Sequence, residues 1–205
     1  MRIPSRSALF AAVRNHRAKE VAAILRDRLE LVSATDGAGR TPLQICARQR
    51  VSTAAEARAG LATARALLKA GADVNAVQSI HEDGEVFPAT ALWYALAWGR
   101  NLPLASHLLK LQADPNHCMF ALVWADDLRS AKLLRRYGAA LDEVAHGETP
   151  LIYAIRHGRA RFADWLIEEG ANAEFTDRKG LTALEHARRR RLPASTLQKL
   201  RSPRV

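Results

Sequence analysis

Two short hydrophobic patterns alternate along this chain. The first, six residues long, runs Thr or Ser, Pro or Ala, Leu, two variable residues and a small residue, as in TPLIYA at 149–154. It occurs six times, once with Phe in its first place, and its leucines are spaced by 34, 49, 30, 29 and 33 residues. The second pattern is a Leu-Leu or Leu-Ile pair before a turn such as Gly71-Ala72-Asp73. Together they indicate a structural unit of about 33 residues repeated along the chain.

Each unit is predicted to contain two short helices. In the copy beginning at Thr149, the hydroxyl can cap a helix start and Pro150 suits the first turn. Gly158 separates this helix from a second one over 160–169, whose Phe, Trp and Leu residues share one face. Gly170 can end the second helix in a left-handed conformation. The apolar face of one such unit is too small to be buried alone, so neighbouring units must stack.

Three segments depart from the regular spacing. About nine extra residues around 51–60 predict a lengthened helix, and the segment 77–89 is about seven residues longer than its counterpart and is interpreted as a loop. The turn near Asp126-Asp127 is predicted to be shortened. Insertions in such arrays map to loops on one face, which is often the binding face.

The repeated Thr-Pro-Leu starts, the Leu-Leu pairs and the Gly-Ala-Asp turns resemble those of the ankyrin-repeat family over nearly the whole chain. This resemblance implies an all-α ankyrin-repeat solenoid of about six stacked helix-turn-helix units with protruding hairpin loops. It implies a single domain over 1–205 whose last unit is a C-terminal cap. The units would begin near residues 5, 39, 88, 118, 147 and 180.

One feature of the family is absent. The family usually has His directly after Thr-Pro-Leu, bonded to the Thr hydroxyl. The residues at this place here are Phe10, Gln44, Trp93, Val123, Ile152 and Glu185. We therefore expect that bond to be missing throughout, with packing alone holding the first helices.

The resemblance also implies a non-catalytic protein-binding module, whose partner lies on the concave face and the loop tips. Carried over by position, the partner-binding candidates are Arg14, Arg48, Gln49, Trp98, Arg156, His157, Arg188 and Arg189. In the irregular fourth unit, Asp126 and Asp127 are the nearest equivalents. Our hypothesis is that Trp98 anchors a partner whose acidic groups meet Arg48 and Arg156, because Trp and Arg often dominate binding energy. The sequence leaves open whether Trp98 is exposed or lies beneath the inserted loop.

The other three tryptophans are interpreted as packing residues. Trp124 and Trp165 fall at core positions of their helices, and Trp93 replaces the family's His. Packing is the usual role of a Trp at such positions.

Charge points more weakly to an anionic partner. The formal net charge is +10, but residues 1–30 contribute +4, residues 176–205 contribute +7, and the rest −1. The run Arg188–Arg191, with Arg178, Lys179, Arg201 and Arg204, has three interpretations: a solvated cap, a contact with an acidic protein, or a surface for nucleic acid or anionic lipid. The alternative function is therefore a basic nucleic-acid or anionic-surface binder that uses the Arg-rich C-terminal unit.

No enzyme, metal or cofactor is expected. The sequence has no nucleophile elbow, phosphate-binding Gly-rich loop or His-Glu-x-x-His pair. His117-Cys118 lacks a second ligand pair, and His81, Glu82, Asp83 and Glu85 lack the spacing of a calcium loop. Cys46 takes the place of a small buried residue and is interpreted as inert.

The compartment is predicted to be the cytoplasm. No apolar run approaches a membrane span, no signal peptide is recognised, and the two cysteines form no disulfide framework. A secreted effector stays open, as do the roles of scaffold, inhibitor and immunity-type binder. The sequence pattern identifies neither the partner nor the oligomeric state.

Overall fold

The computed structural model describes residues 4–82 and 84–201, which are predominantly helical and form two compact units, Met1–Asp114 and Pro115–Val205. These described residues contain twelve α-helices, one 3-10 helix and a two-stranded sheet. Eight of these twelve α-helices begin after a Ser, Thr, Asn or Asp whose side chain accepts a hydrogen bond from the first turn.

The first unit holds six helices and the sheet. In chain order these are α1 Arg6–Arg14, α2 Ala18–Asp27, the 3-10 helix Leu29–Ser33, α3 Pro42–Arg48, α4 Ala54–Lys69, β1 Gln78–Glu82, β2 Glu85–Ala89, α5 Ala91–Ala97 and α6 Leu102–Lys110. The first helices pack side by side, α1 on α3 and α3 on α5, and each also packs on its own second helix, α2, α4 or α6. The repeat leucines Leu9, Leu43 and Leu92 are buried between these layers.

The second unit holds the remaining six helices. They are α7 Met119–Ala125, α8 Leu128–Arg136, α9 Pro150–Arg156, α10 Ala160–Glu168, α11 Ala183–Arg189 and α12 Ala194–Arg201. Helix α9 packs on α7, α10 and α11, and α12 covers α10 and α11. Phe162 and Leu166 are fully buried and Trp165 nearly so, which confirms the predicted apolar face of the second helix. Gly170 ends that helix with φ +91°, also as predicted.

The insertions take two different forms. Helix α4 has sixteen residues, against nine or ten in the other second helices of its unit, so the extra residues lengthen a helix as expected. The segment interpreted as a loop is instead an antiparallel β-hairpin in which Ile80 faces Phe87. The expectation of an all-α chain is therefore wrong at this segment. The Gln78 side chain fixes the hairpin by donating to the Ala38 carbonyl (2.8 Å) and accepting from the Tyr94 hydroxyl.

The capping of the first helices also differs from the expectation. Gln44 and Glu185 occupy the position of the family's His. Each side chain accepts a hydrogen bond from the backbone N–H of the capping Thr, at 2.8 and 2.7 Å. Glu185 additionally accepts from the Thr182 hydroxyl at 2.9 Å. The expectation that packing alone holds the first helices is thus wrong in two of the six copies, where a capping box also stabilises the start of the helix.

Candidate partner-binding surface

The surface predicted from the sequence lies at the C-terminal ends of the first helices. The last helical residue and the C-cap that follows are Arg14 and Asn15, Arg48 and Gln49, Ala97 and Trp98, Ala125 and Asp126, Arg156 and His157, and Arg189 and Arg190. The pair in α11 is thus Arg189 and Arg190, one residue later than the pair aligned from the sequence. Arg188 and Arg189 are both exposed.

Trp98 is the exposed apolar residue of this surface in the first unit. Its side chain retains 51% of its accessible surface, so the inserted segment does not bury it. The guanidinium carbon of Arg48, on the adjacent first helix, lies 4.9 Å from the centre of the indole ring. A cation over a Trp face at this distance is stabilising, by about 0.5–1 kcal/mol at an exposed site. The two side chains thus form a preformed platform in which an exposed apolar ring carries a positive guanidinium over one face.

The backbone behind Trp98 is held by a close approach of two helices. A Cβ at Gly99 would lie 2.2 Å from the carbonyl oxygen of Ala47 at the end of α3, so only glycine fits. The Gly99 carbonyl accepts a hydrogen bond from the Val51 N–H at 2.9 Å. These contacts fix the end of α5 against α3 and therefore the position of the indole.

The other two candidates of the first unit are placed differently. Arg14 is exposed, with its guanidinium carbon 6.0 Å from the Phe10 ring. Gln49 is half-buried, and its side-chain amide donates to the Ile45 carbonyl at 2.9 Å. Arg14 is accessible to a ligand, whereas the Gln49 side-chain amide already donates one hydrogen bond within its own helix.

In the second unit, Arg156 is paired. One guanidinium nitrogen donates to both carboxylate oxygens of Glu148, at 2.7 and 2.6 Å. Glu148 is nearly buried and Arg156 is half exposed, so the carboxylate compensates the charge of Arg156 from beneath. Among the described residues Arg48 has no such ion pair, and it therefore presents a less compensated charge to a partner.

Trp124 is the residue that the sequence analysis placed wrongly. It was predicted to pack in the core, but 61% of its surface is accessible. Its position two residues after the buried Leu122 puts it about 200° around the helix from that residue, on the opposite face. The same position, two residues after the repeat leucine, is buried at Tyr94 and half-buried at Tyr153, so the repeat pattern does not predict its exposure.

Trp124 ends a row of aromatic rings on α7 and α9. The indole lies 5.3 Å from the His157 ring, edge-to-face, and His157 lies 4.3 Å from the Tyr153 ring. Tyr153 in turn contacts Phe120 at 5.4 Å. We name these four residues, Phe120, Trp124, Tyr153 and His157, the aromatic row.

His157 lies in a positive environment. Burial lowers its pKa below the ordinary value of 6.5, and the charge of Arg156 lowers it further. Glu148 opposes this shift in pKa, while Arg159 and Arg190 add to it. The imidazole is therefore neutral at pH 7, and its protonation becomes easier when a negative charge approaches.

The described residues form no group of three His, Cys, Asp or Glu side chains able to hold a metal ion. Cys46 is buried, and burial raises the pKa of its thiol to about 12, which confirms an inert packing role. His117 donates its backbone N–H to Glu143 at 2.7 Å. Of the acidic loop, Asp83 lies outside the described residues. Within those residues no helix is both long and apolar enough to cross a membrane.

The sequence matches two family profiles, and both are of ankyrin repeats. Residues 38–79 match the profile of the ankyrin repeat, and residues 133–187 match the profile of ankyrin repeats in many copies. No curated protein sequence matches the chain significantly.

Solved structures of similar fold cover almost the whole chain. The ankyrin repeat protein EF0377 has a TM-score of 0.72 at 24% identity, over 97% of this chain and 98% of that one. A chain of the complex between the predatory endopeptidase Bd0816 of Bdellovibrio bacteriovorus and the immunity protein Bd3460 has a TM-score of 0.71 at 23% identity, over 98% and 100%. An ankyrin repeat domain from Acinetobacter baumannii AYE has a TM-score of 0.71 at 24% identity, over 96% of each chain. At these identities the likeness is one of fold.

Proposed function

We propose that this chain, which is an ankyrin-repeat protein, is a non-catalytic module that binds another protein. The observation that carries the proposal is the exposed Trp98 ring beneath the Arg48 guanidinium, at the end of two adjacent first helices. Ankyrin repeats are generally protein-interaction modules. A large exposed Trp with an Arg beside it has the composition of a binding hot spot.

The partner meets the ends of the first helices and the loop tips, on the concave face that these repeats usually offer. In the first unit the contact residues are Arg14, Arg48, Gln49 and Trp98, and in the second they are Arg156, His157, Arg188 and Arg189. Seven of these eight side chains are basic or aromatic, which favours an acidic partner surface. Because Arg48, Trp98 and Arg156 are already held by a cation–π contact and an ion pair, these side chains lose little ordering entropy on binding.

The fold supports a role through binding alone. One similar structure is a chain from a complex of an endopeptidase with an immunity protein, so this fold occurs in a complex between two proteins. We interpret the present chain as a single domain of about six units over 1–205. We place it in the cytoplasm, since Cys46 and Cys118 are buried and form no disulfide, as suits a reducing compartment.

The test is capture of the partner by position 98. A photo-crosslinking amino acid at 98 should trap one protein in lysate of the source cells, and that protein is then purified. Trp98→Ala should weaken its binding by about 2 kcal/mol, measured by calorimetry, because a buried Trp anchor is lost.

The matched control is Leu29→Ala, which removes an equally exposed apolar side chain outside the surface and should leave the affinity unchanged. Equal affinity of Trp98→Ala and the native protein, with the fold intact, would contradict the proposal. So would nanomolar binding to duplex or single-stranded DNA at physiological salt, since that affinity is expected only of a nucleic-acid protein.

A further inference from the structure

We propose that Trp124 and His157 form a second contact surface, within the second unit, that binds an acidic peptide segment carrying one large apolar side chain. This inference rests on the proposed protein-binding function and names the chemistry of what is bound. His157 was among the partner-binding residues predicted from the sequence, whereas Trp124 was predicted to lie in the core.

The Trp124 indole offers an exposed apolar surface, and contacts with His157 and Arg159 hold it in position. The indole of Trp124 is exposed over 61% of its surface, and its other side lies against the His157 ring at 5.3 Å. Arg159 donates to the Trp124 carbonyl at 3.1 Å, which holds the end of α7. Rigid, exposed aromatic rings are costly in water and are typical anchors for an apolar side chain of a partner.

The charges around this indole select an acidic ligand. Arg156, Arg159 and Arg190 all act on His157 with the same sign. Of the opposing carboxylates, Glu148 is nearly buried and already paired with Arg156, and Asp126 is 3.9 Å from Arg159. Among the described residues Arg190 has no ion pair. Three arginines against the two carboxylates Glu148 and Asp126 leave a net positive charge around His157, which is complementary to Asp or Glu side chains flanking an apolar residue.

The ring arrangement favours a peptide over a nucleic acid. Non-specific binding of single strands needs successive open ring faces on which bases stack. Here the rings of the aromatic row cover one another at steep angles: 82° between Trp124 and His157, 57° between His157 and Tyr153, and 62° between Tyr153 and Phe120. Among Phe120, Trp124 and Tyr153, only the Trp124 ring is largely exposed, which suits a single apolar side chain.

Binding of such a segment should be coupled to a proton. The groups that face His157 are the rings of Trp124 and Tyr153 and the charges of Arg156, Arg159, Arg190 and Glu148. A carboxylate brought beside His157 favours the imidazolium and so opposes the lowered pKa of the free protein. The complex then takes up a proton, and affinity rises as the pH falls.

The experiment is a selection from a random peptide display library on the whole chain. Enriched peptides should combine an excess of Asp and Glu with a Leu, Phe or Trp. For an enriched peptide labelled for fluorescence anisotropy, Trp124→Ala should raise the Kd at least about tenfold, and Arg190→Gln about threefold. Leu29→Ala, which truncates an exposed apolar side chain outside both surfaces, is the matched control and should leave the Kd within about twofold. Circular dichroism and the urea midpoint should be unchanged in Trp124→Ala, because the side chain is exposed.

The pH dependence gives a second readout. From about pH 7.5 to pH 5.5 the native protein should bind the labelled peptide several-fold more tightly, and His157→Gln should lose most of this gain. Equal gains in the two proteins would overturn the role of His157.

Enriched peptides without an excess of Asp and Glu would overturn the inference, and so would equal affinity of Trp124→Ala and the native protein for the labelled peptide. Displacement of the labelled peptide by a twelve-nucleotide oligothymidylate at a lower concentration than by unlabelled peptide would also overturn it. Peptides lost by Trp98→Ala but kept by Trp124→Ala would remove this second surface and leave the proposed function standing. No partner crosslinked at position 98 and no enriched peptide would together remove both.

Discussion

The two units each expose one tryptophan at the end of a first helix, but the neighbouring helix supports it differently. In the first unit the neighbour is Arg48, whose guanidinium lies over the face of Trp98 at 4.9 Å. In the second it is His157, whose ring meets the edge of Trp124 at 5.3 Å. The first arrangement carries a permanent charge and the second a titratable one. Trp98 lies six residues after Leu92 and Trp124 two residues after Leu122, so different positions of the repeat produce exposed aromatic surfaces that differ in their response to pH.

The largest expected effect is on the free energy of unfolding, when the glycine that follows Trp98 or the glycine that follows His157 is replaced. Gly99→Ala places a Cβ 2.2 Å from a backbone oxygen, so α3 and α5 must separate. We expect it to lower the free energy of unfolding by about 3 kcal/mol, the upper range for overpacking. Gly158→Ala has open space around the new Cβ and costs only the left-handed conformation at φ +68°, about 1 kcal/mol. Urea unfolding followed by circular dichroism measures both.

The prediction is checked by comparing the two variants. An equal decrease in the free energy of unfolding would mean that the Gly99 backbone does not approach Ala47 closely, and that the C-terminal ends of α5 and α9 are equally constrained. Trp98 fluorescence should also change in Gly99→Ala, because the indole is attached to the displaced backbone.

The sequence predicted the helical part of the fold well, because its signals are local. Thr41, Thr90, Thr149 and Thr182 cap first helices as expected, and the repeat leucines Leu9 to Leu151 are buried. The hairpin was missed although Asp83-Gly84 between alternating residues is a hairpin signal. The family spacing favoured a loop there. The pairing of the two strands also depends on contacts from outside the segment, such as Gln78 to Ala38.

The surface was harder to predict than the fold. A repeat pattern gives the helix on which a residue lies, but exposure depends on what the adjacent helix places over it. Trp124 and Tyr94 occupy equivalent positions, two residues after the repeat leucine, yet Tyr94 is buried and Trp124 is exposed. The pairing of Arg156 with Glu148 likewise joins residues eight positions apart across a loop and a helix, and no repeat signal encodes it.

The second prediction concerns the unequal pairing of Arg48 and Arg156. Glu148→Gln removes the carboxylate that holds Arg156 and should cost about 1 kcal/mol of stability, since the pair is only partly shielded from water. Glu174→Gln, at an exposed carboxylate elsewhere in the second unit, should cost nothing measurable. Urea midpoints compare the two, and equal stability would mean that Arg156 is as unconstrained as Arg48.

The third prediction measures the contact between Arg48 and Trp98 directly. A double-mutant cycle with Arg48→Met and Trp98→Ala should give a coupling energy of about 0.5 kcal/mol in unfolding, because an exposed cation–π contact is weak. Methionine keeps an apolar side chain of similar reach and removes the charge. A coupling energy of zero would mean that Arg48 lies over the ring without stabilising it.

The smallest effect is expected from the half-buried histidine of the first unit, His16, which contrasts with the exposed His157 of the second. Burial lowers the pKa of His16 below 6.5, against an opposing effect of Glu56, and its Nε2 has no hydrogen-bond partner in the described structure. The unfolded chain therefore binds a proton more readily, and stability is full above about pH 6.5 and falls as the pH drops below it. His16→Asn tolerates the left-handed backbone at φ +52° and should reduce this loss between about pH 7 and pH 5.5. His157→Gln should reduce it less, because the exposed ring loses less hydration on folding. Equal pH profiles for His16→Asn and the native protein would show that the charge on His16 is solvated in the folded state.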